Sequence, residues 1–475
     1  MGQATTRRRF LQGSLAALAG GIGGTCLPGR TPAGMKRSSG PADRPNVLFI
    51  TIDDLNHSIG CYGDEVVHTP SIDRLAAMGM RFDRAYCQFP VCNPSRTSFL
   101  TGLRPDTTGV VDNRVAFRSR LPDVVTMPQL FRRAGYFTAR LGKIFHGSGE
   151  KGDPTAWDSG FDARPTEIGR RGEGRNLTDG RVKWCRWMAA EGGDEDQPDG
   201  QFATEAIRLL QQRRDEPFFI GLGFHKPHDP FVAPKKYFDL YPLEELEPPK
   251  EPADASPLNR YTIGSGWKES FDKFTIREQR QFRRAYYAGA SFVDAQIGRV
   301  LDAMQRLDLM DNTIIVFLAD HGYQLGDHGW WNKNTLYEQS TRAPLIVAVP
   351  GATEPGTSCK RFVEFVDIYP TLAQLCGLKI PHAVEGRSFV PLLRDPHLQW
   401  KQAAYTQVQR GQIAGRAVRT ARWRYIEWDE GRQGVELYDH QNDPGEFYNL
   451  GSDPAHADVR KRLRRLLREP AGKWR

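Results

Sequence analysis

Two acidic clusters and one cysteine hold the residue types best placed to do chemistry in this chain. Asp53 and Asp54 are adjacent and follow the apolar run 46–52. Neighbouring carboxylates repel unless a cation sits between them. Asp320 and His321 follow a second apolar run, 313–319. The four side chains make a mostly oxygen donor set suited to a hard divalent cation. Cys92 opens the run Cys92-Asn93-Pro94-Ser95-Arg96, which continues through Thr101-Gly102 to Arg104-Pro105. Arg96 is four residues on, one turn away if a helix starts at Cys92. Taken singly, adjacent aspartates are commonly solvated loop charges, and a lone Asp-His pair is ordinary. Together, each acidic cluster at the end of an apolar run with Cys92 downstream of the first, they point to one site.

Something must bring these distant positions together. Runs 46–52, 217–224, 313–319 and 344–349 are short and almost continuously apolar, as strands buried on both faces of a parallel sheet are. Each ends in a polar or turn cluster: Asp53-Asp54, His225-Lys226-Pro227-His228, Asp320-His321-Gly322 and Pro350-Gly351. Helical patterns lie between, over 70–78, 127–134, 202–212, 277–307 and 365–376. This alternation predicts an α/β/α sandwich, whose ligands sit beyond the carboxyl ends of the strands. The Pro- and Glu-rich stretch 241–257 reads as a loop. From about residue 396 the pattern changes: 416–420 and 422–428 alternate as antiparallel strands do. Trp330, Trp331, Trp423 and Trp428 are either a sugar-stacking surface or packing.

Charge and cysteine usage narrow the class. The net charge of +8 is concentrated at the ends: residues 1–30 carry +4 and residues 459–475 carry +7, leaving a body at −3. A nearly neutral body argues against a nucleic-acid-binding protein. The basic tail reads as the solvated face of a terminal helix, with a grip on a polyanion as the alternative. Seven cysteines occur without a Cys-x-x-Cys pair, which argues against a thiolate zinc site; their pairing is left open. Arg7-Arg8-Arg9-Phe10-Leu11 followed by a short Gly/Ala-rich run resembles a Tat export signal. The run is too short to span a bilayer stably, and the rest of the chain offers no stretch of about 20 apolar residues. The expected organisation is a signal peptide over 1–30, a flexible lead-in over 31–45, a catalytic domain over 46–395 and a C-terminal subdomain with a basic tail over 396–475. The expected location is periplasmic or secreted.

The Cys92-x-Pro94-x-Arg96 element with Thr101-Gly102-x-x-Pro105 resembles the active-site element of type I sulfatases. The similarity extends from Asn46 to Leu450 and looks closest to iduronate-2-sulfatase-like members. It is carried by Ile52-Asp53-Asp54-Leu55, by 141–146 (Leu-Gly-Lys-Ile-Phe-His), by 223–228 (Gly-Phe-His-Lys-Pro-His), and by 320–329 with Lys333 after it. Asn93 and the Trp330-Trp331-Asn332 stretch depart from the commoner family pattern. The resemblance implies an alkaline-phosphatase-like fold with a large mixed, mostly parallel sheet and a smaller antiparallel C-terminal subdomain. It also implies a maturation enzyme that converts Cys92 to formylglycine. The metal so implied is calcium, held by Asp53, Asp54, Asp320, His321 and the modified Cys92; the nitrogen donor is less typical of Ca²⁺ and leaves room for Mn²⁺. One hydroxyl of the hydrated aldehyde would attack sulfur, a covalent route that divides one hard step into two. Arg96 and Lys143 would stabilise the ionised diol, His146 would take the proton from the second hydroxyl, and His225 and Lys333 would hold sulfate and protonate the leaving alcohol.

The function so implied is a sulfuric ester hydrolase acting on a sulfated sugar or glycan. His321 is shared with choline-sulfatase-like and phosphonate monoester hydrolase relatives, so a phosphate or phosphonate ester is the alternative substrate. A catalytically silent glycan-binding protein is a further alternative, and it requires Cys92 to stay a thiol. The partners implied are the sulfated substrate, the maturation enzyme and the Tat machinery.

Overall fold

The computed structural model describes residues 44–147 and 152–468. In chain order its strands are β1 (Asn46–Ile52), β2 (Met80–Tyr86), β3 (Phe137–Gly142), β4 (Ser159–Phe161), β5 (Gly172–Asn176), β6 (Arg186–Ala190), β7 (Phe218–Phe224), β8 (Phe231–Pro234), β9 (Thr313–Ala319), β10 (Leu345–Ala348), β11 (Thr357–Glu364), β12 (Ala403–Arg410), β13 (Ile413–Thr420), β14 (Trp423–Trp428) and β15 (Val435–Asp439). Eight of them form one sheet in the order β11-β2-β10-β9-β1-β7-β3-β4. Only β10 runs against the others. Every residue of β1, β7 and β9 is buried, as a central strand covered on both faces requires.

Two groups of helices supply that cover. The helices α1 (Pro70–Met78) and α4 (Pro198–Arg213) both pack on α5 (Ile276–Arg306), and α4 lies on β3 and β7. The helices α2 (Cys92–Thr101), α3 (Met127–Arg133) and α6 (Ile368–Leu375) form a second group, in which α3 touches the same two strands from the other face. The long α5 starts on a capping box, with Thr275 and Glu278 satisfying each other's end of the first turn. The α/β/α sandwich and the mostly parallel sheet are as expected.

The register explains the site. Ile52 pairs with both Phe224 and Ala319, and Gly142 pairs with Gly223. The four central parallel strands therefore end level, and the next residues are Asp53, His225, Asp320 and Lys143. The β3–β7 junction is tight. Gly142 has φ +66°, and a Cβ there would sit 2.3 Å from the Gly223 carbonyl oxygen, so only glycine fits. The Lys143 N–H donates to that carbonyl at 2.8 Å. The run 344–349 differs from expectation. As antiparallel β10 it carries Pro350-Gly351 to the opposite end of the strands, away from the other polar clusters.

A separate four-stranded antiparallel sheet, β12-β13-β14-β15, follows. Helix α7 (Ala457–Arg468) packs on it, burying Leu463 and Leu467 and leaving most of its basic residues exposed. A small sheet of β5, β6 and β8 was not foreseen; β5 is mostly exposed and reads GEGRN, with no apolar alternation to reveal it. Trp330, Trp331, Trp423 and Trp428 are all buried, so they are packing. The described cysteines, Cys61, Cys87, Cys92, Cys185, Cys359 and Cys376, are free thiols. The export signal and most of the lead-in fall outside the described residues.

Candidate active site

Cys92 is the first residue of α2, entered from extended Val91, and all ten residues of the helix are buried. Its position places the positive end of the helix dipole beside the thiol. Cys92 Sγ lies 3.3 Å from Asp53 Oδ1 and 3.4 Å from Lys333 Nζ. Burial first, and then Asp53, push the thiol up, so an unmodified Cys92 stays protonated and is a poor nucleophile.

One turn along the helix, Arg96 binds the strand ends together. Its guanidinium donates to Asp320 Oδ2 at 2.9 Å, to Asp53 Oδ1 at 3.3 Å and to the Ile144 carbonyl at 3.0 Å. Asp54 has φ 68°, an uncommon conformation for a residue with a side chain. Its N–H donates to Asp320 Oδ1 at 3.1 Å and its carbonyl accepts from the Tyr286 hydroxyl at 2.6 Å. Lys143 pairs with Asp53, and Lys333 pairs with Asp54.

The electrostatics follow from burial and pairing. Burial alone would raise Asp53, but Lys143, His228, Arg96 and Lys333 together hold it well below the usual carboxylate range. Burial lifts Asp54 to about 6 against the pull of Lys333. Burial opposes protonation of Lys143 and Lys333, yet Asp53 and Asp54 respectively keep both ammonium groups charged. Three buried carboxylates thus face three cations, Arg96, Lys143 and Lys333. A divalent ion added to that balance leaves the site positive, as an anionic ester requires.

The residues suit such an ion. Ligand atoms of Asp53, Cys92, Asp320 and His321 lie within 4.8 Å of one another, and so do those of Asp53, Asp54, Cys92 and His228. His321 Nε2 is 3.5 Å from Asp54 Oδ1 and 3.6 Å from Asp320 Oδ1. Asp54 Oδ2 and His321 Nε2 are buried without a hydrogen-bond partner, a costly state unless something binds them.

His146 and His225 stand further back. Among the described residues neither side chain forms an ion pair or hydrogen bond with the cluster, although its charges act on both. Burial and Lys143 lower His146 to about 4 and His225 to about 3. His146 Nδ1 is buried and unpartnered. His225 is fixed by its backbone N–H, which donates to Asp199 Oδ1 at 2.9 Å. Sequence reasoning passed over His228, whose Nε2 lies 3.8 Å from Asp53 Oδ2 and 3.9 Å from Asp54 Oδ2. Its signal was its place in the same His-Lys-Pro-His run. A cavity of about 730 Å³ adjoins His225, Lys226 and Asp229, with Arg170, Arg175 and Arg186 also in its wall.

Residues 45–378 match the family model described as "Sulfatase", and residues 326–473 match "N-sulphoglucosamine sulphohydrolase, C-terminal". Iduronate 2-sulfatase of Homo sapiens is 33% identical over 88% of this chain and 91% of its own length. A solved structure described as in complex with its substrate D-glucosamine-2-N,6-O-disulfate superposes with TM-score 0.74 at 25% identity, covering 91% of this chain and 98% of the other. A phosphonate monoester hydrolase from Silicibacter pomeroyi superposes with TM-score 0.76 at 26% identity, covering 90% and 96%.

Proposed function

The chain belongs to the sulfatase family and is a sulfuric ester hydrolase, and we propose that it removes sulfate from a sulfated sugar in the manner of an iduronate 2-sulfatase. The observation that carries this reading is Cys92 at the start of a buried helix, against Asp53 and Lys333 and level with three strand ends that deliver Asp53-Asp54, Lys143 and Asp320-His321.

Asp53, Asp54, Asp320, His321 and residue 92 would hold a divalent cation, Ca²⁺ or Mn²⁺, which supplies charge to polarise a sulfate oxygen, while maturation to formylglycine supplies an oxygen nucleophile at position 92. The other roles belong to encoded side chains. Arg96 and Lys143 stabilise negative charge at residue 92. Lys333, 3.4 Å from Sγ, is a charged group in reach of sulfate and of the leaving oxygen. His225 enters neutral and holds a sulfate oxygen with a ring N–H. His146 also enters neutral, with an unpartnered Nδ1, and accepts a proton. An unmodified thiol has no second hydroxyl and could not expel the bound sulfate.

The proposal extends to the route. A leader over 1–30 and a lead-in over 31–45 precede the catalytic domain, 46–395, and the C-terminal subdomain, 396–475. The matured, folded enzyme is exported through the Tat machinery to the periplasm or beyond. No described helix is long and apolar enough to cross a membrane.

A phosphonate or phosphate monoester is the second reading, supported by the likeness to a phosphonate monoester hydrolase. Comparing kcat/KM on sulfated iduronate and glucosamine with matched phosphate and phosphonate esters separates the two. Preference for the sulfated sugars is expected; preference for the phosphorus esters overturns the sugar assignment.

A further inference from the structure

Away from the cluster around Cys92, a groove of about 820 Å³ runs between the edge strand β11, the segment leading into β12, the β13–β14 turn and helix α7. It shares no residue with the active site. Its walls hold seven basic residues, Arg84, Lys360, Arg361, Lys401, Arg422, Arg462 and Arg465, and no aspartate or glutamate. Five of the seven lie in the body whose net charge is −3 and two, Arg462 and Arg465, in the basic end; so one-sided a wall calls for a ligand.

Two of these charges are already answered from behind. Lys401 pairs with Glu364 at 3.0 Å and Asp367 at 2.7 Å, and Arg422 pairs with Asp439 at 2.7 Å. Four are not: Arg84, Lys360, Arg361 and Arg462 form no ion pair among the described residues. Arg84 stacks on the Phe362 ring, 5.2 Å from its centroid, and Arg361 donates to the His397 carbonyl. Lys360 and Arg462 are exposed. Half-buried Trp400 lies in the same wall, its ring covered by the Arg387 guanidinium 3.9 Å from the centroid, so the groove offers charge rather than an open aromatic face. The volume falls in the range of ligand sites.

We propose that this groove is a second, non-catalytic binding site for a linear polysulfated glycan. The assignment rests on the sulfated-sugar reading of the active site. A polymer held here presents its other sulfates to the catalytic centre at raised effective concentration, with no change at that centre. Spaced single negative charges on a chain of rings match spaced cations along a groove. A lipid surface would instead ask for a projecting apolar edge, whereas of the large apolar side chains here Phe362, Trp423 and Leu463 are buried and Trp400 and Leu466 half-buried.

The test uses the full-length matured protein and a size-defined heparin oligosaccharide. Calorimetric titration is made for wild type and for the double variant Lys360→Glu/Arg462→Glu. Both sites lie outside the catalytic machinery, and turnover of a monosulfated monosaccharide with the melting temperature serves as the control for folding. Wild type is expected to bind, with affinity falling linearly against salt on logarithmic axes, and the variant to bind about tenfold or more weakly at physiological salt. Arg462→Lys, which keeps the charge, is expected to bind as wild type does. Equal binding by wild type and a folded double variant overturns the proposal. Equal or tighter binding of duplex DNA, or of phosphatidylserine vesicles, at the same salt overturns the glycan assignment. Should the protein turn over no sulfated sugar yet lose heparin affinity in the variant, the catalytic reading fails and the groove stands.

Discussion

Arg96 is the residue on which the charge balance of the site turns. Fully buried, it reaches Asp53, Asp320 and the Ile144 carbonyl at once. Removing one partner of a buried ion pair leaves an uncompensated charge, which costs about 3–5 kcal/mol. Arg96→Met is therefore expected to lower unfolding stability by about that amount as well as activity, measured by denaturant titration. His146 behaves differently. It touches no charged partner among the described residues, so His146→Ala is expected to leave the melting temperature within a few degrees of wild type while kcat falls about 10²–10⁴-fold, the usual contribution of a general base. A large loss of stability with kcat retained would remove His146 from the mechanism. Of the residues named from sequence, the five proposed ligands, Arg96, Lys143 and Lys333 meet in one cluster. His228 was missed because nothing in one sequence distinguishes the two histidines of a His-Lys-Pro-His run until the chain path places one near Asp53.

At the scale of elements, the C-terminal sheet is fastened to the catalytic sandwich by buried ion pairs. Arg424 of β14 pairs across the boundary with Glu338 and within its own subdomain with Glu446, and Lys401, ahead of β12, pairs with Glu364 at the end of β11, 3.0 Å apart, where Arg104 also binds. Burial works against the ionised forms, but Arg424 and His440 hold Glu446 down to about 2, and Arg104 and Lys401 hold Glu364 at about 2. Groups depressed below their unfolded values stabilise the fold above the ordinary glutamate range and lose that contribution as pH falls through the folded value. Stability is therefore expected to decline between roughly pH 4.5 and 2, followed by far-UV circular dichroism at stepped pH. Glu446→Gln is expected to flatten that decline and to destabilise at neutral pH; an unchanged acid profile would contradict the assignment. The central strands and most helices were legible because continuous apolar runs and 3.6-residue periodicity survive in any context. The direction of β10 was not, since a fully apolar strand reads the same whether parallel or antiparallel. The β5–β6–β8 sheet was hidden because its edge is polar, Gly-rich and solvated.

For the molecule as a whole, the level ends of four parallel strands make a site that is charge-balanced without an ion and positive with one. Cation binding to the folded state alone stabilises it, by about 4 kcal/mol at a thousandfold excess over Kd. Treatment with a chelator is expected to lower the melting temperature, and Ca²⁺ or Mn²⁺ to restore it; a melt indifferent to both would contradict the ligand assignment. The net charge of +8 is a property of the two ends rather than of the body. If residues 1–30 are removed as proposed, the protein carries its positive charge chiefly over residues 459–475. The account as a whole depends on the chemical state of position 92, because a buried thiol pushed up by burial and Asp53 is inert there. Peptide mass spectrometry across Cys92, on protein matured in its native export route, reads that state directly. An aldehyde at position 92 is the predicted result; an intact thiol would contradict the catalytic account and leave a glycan-binding protein in its place.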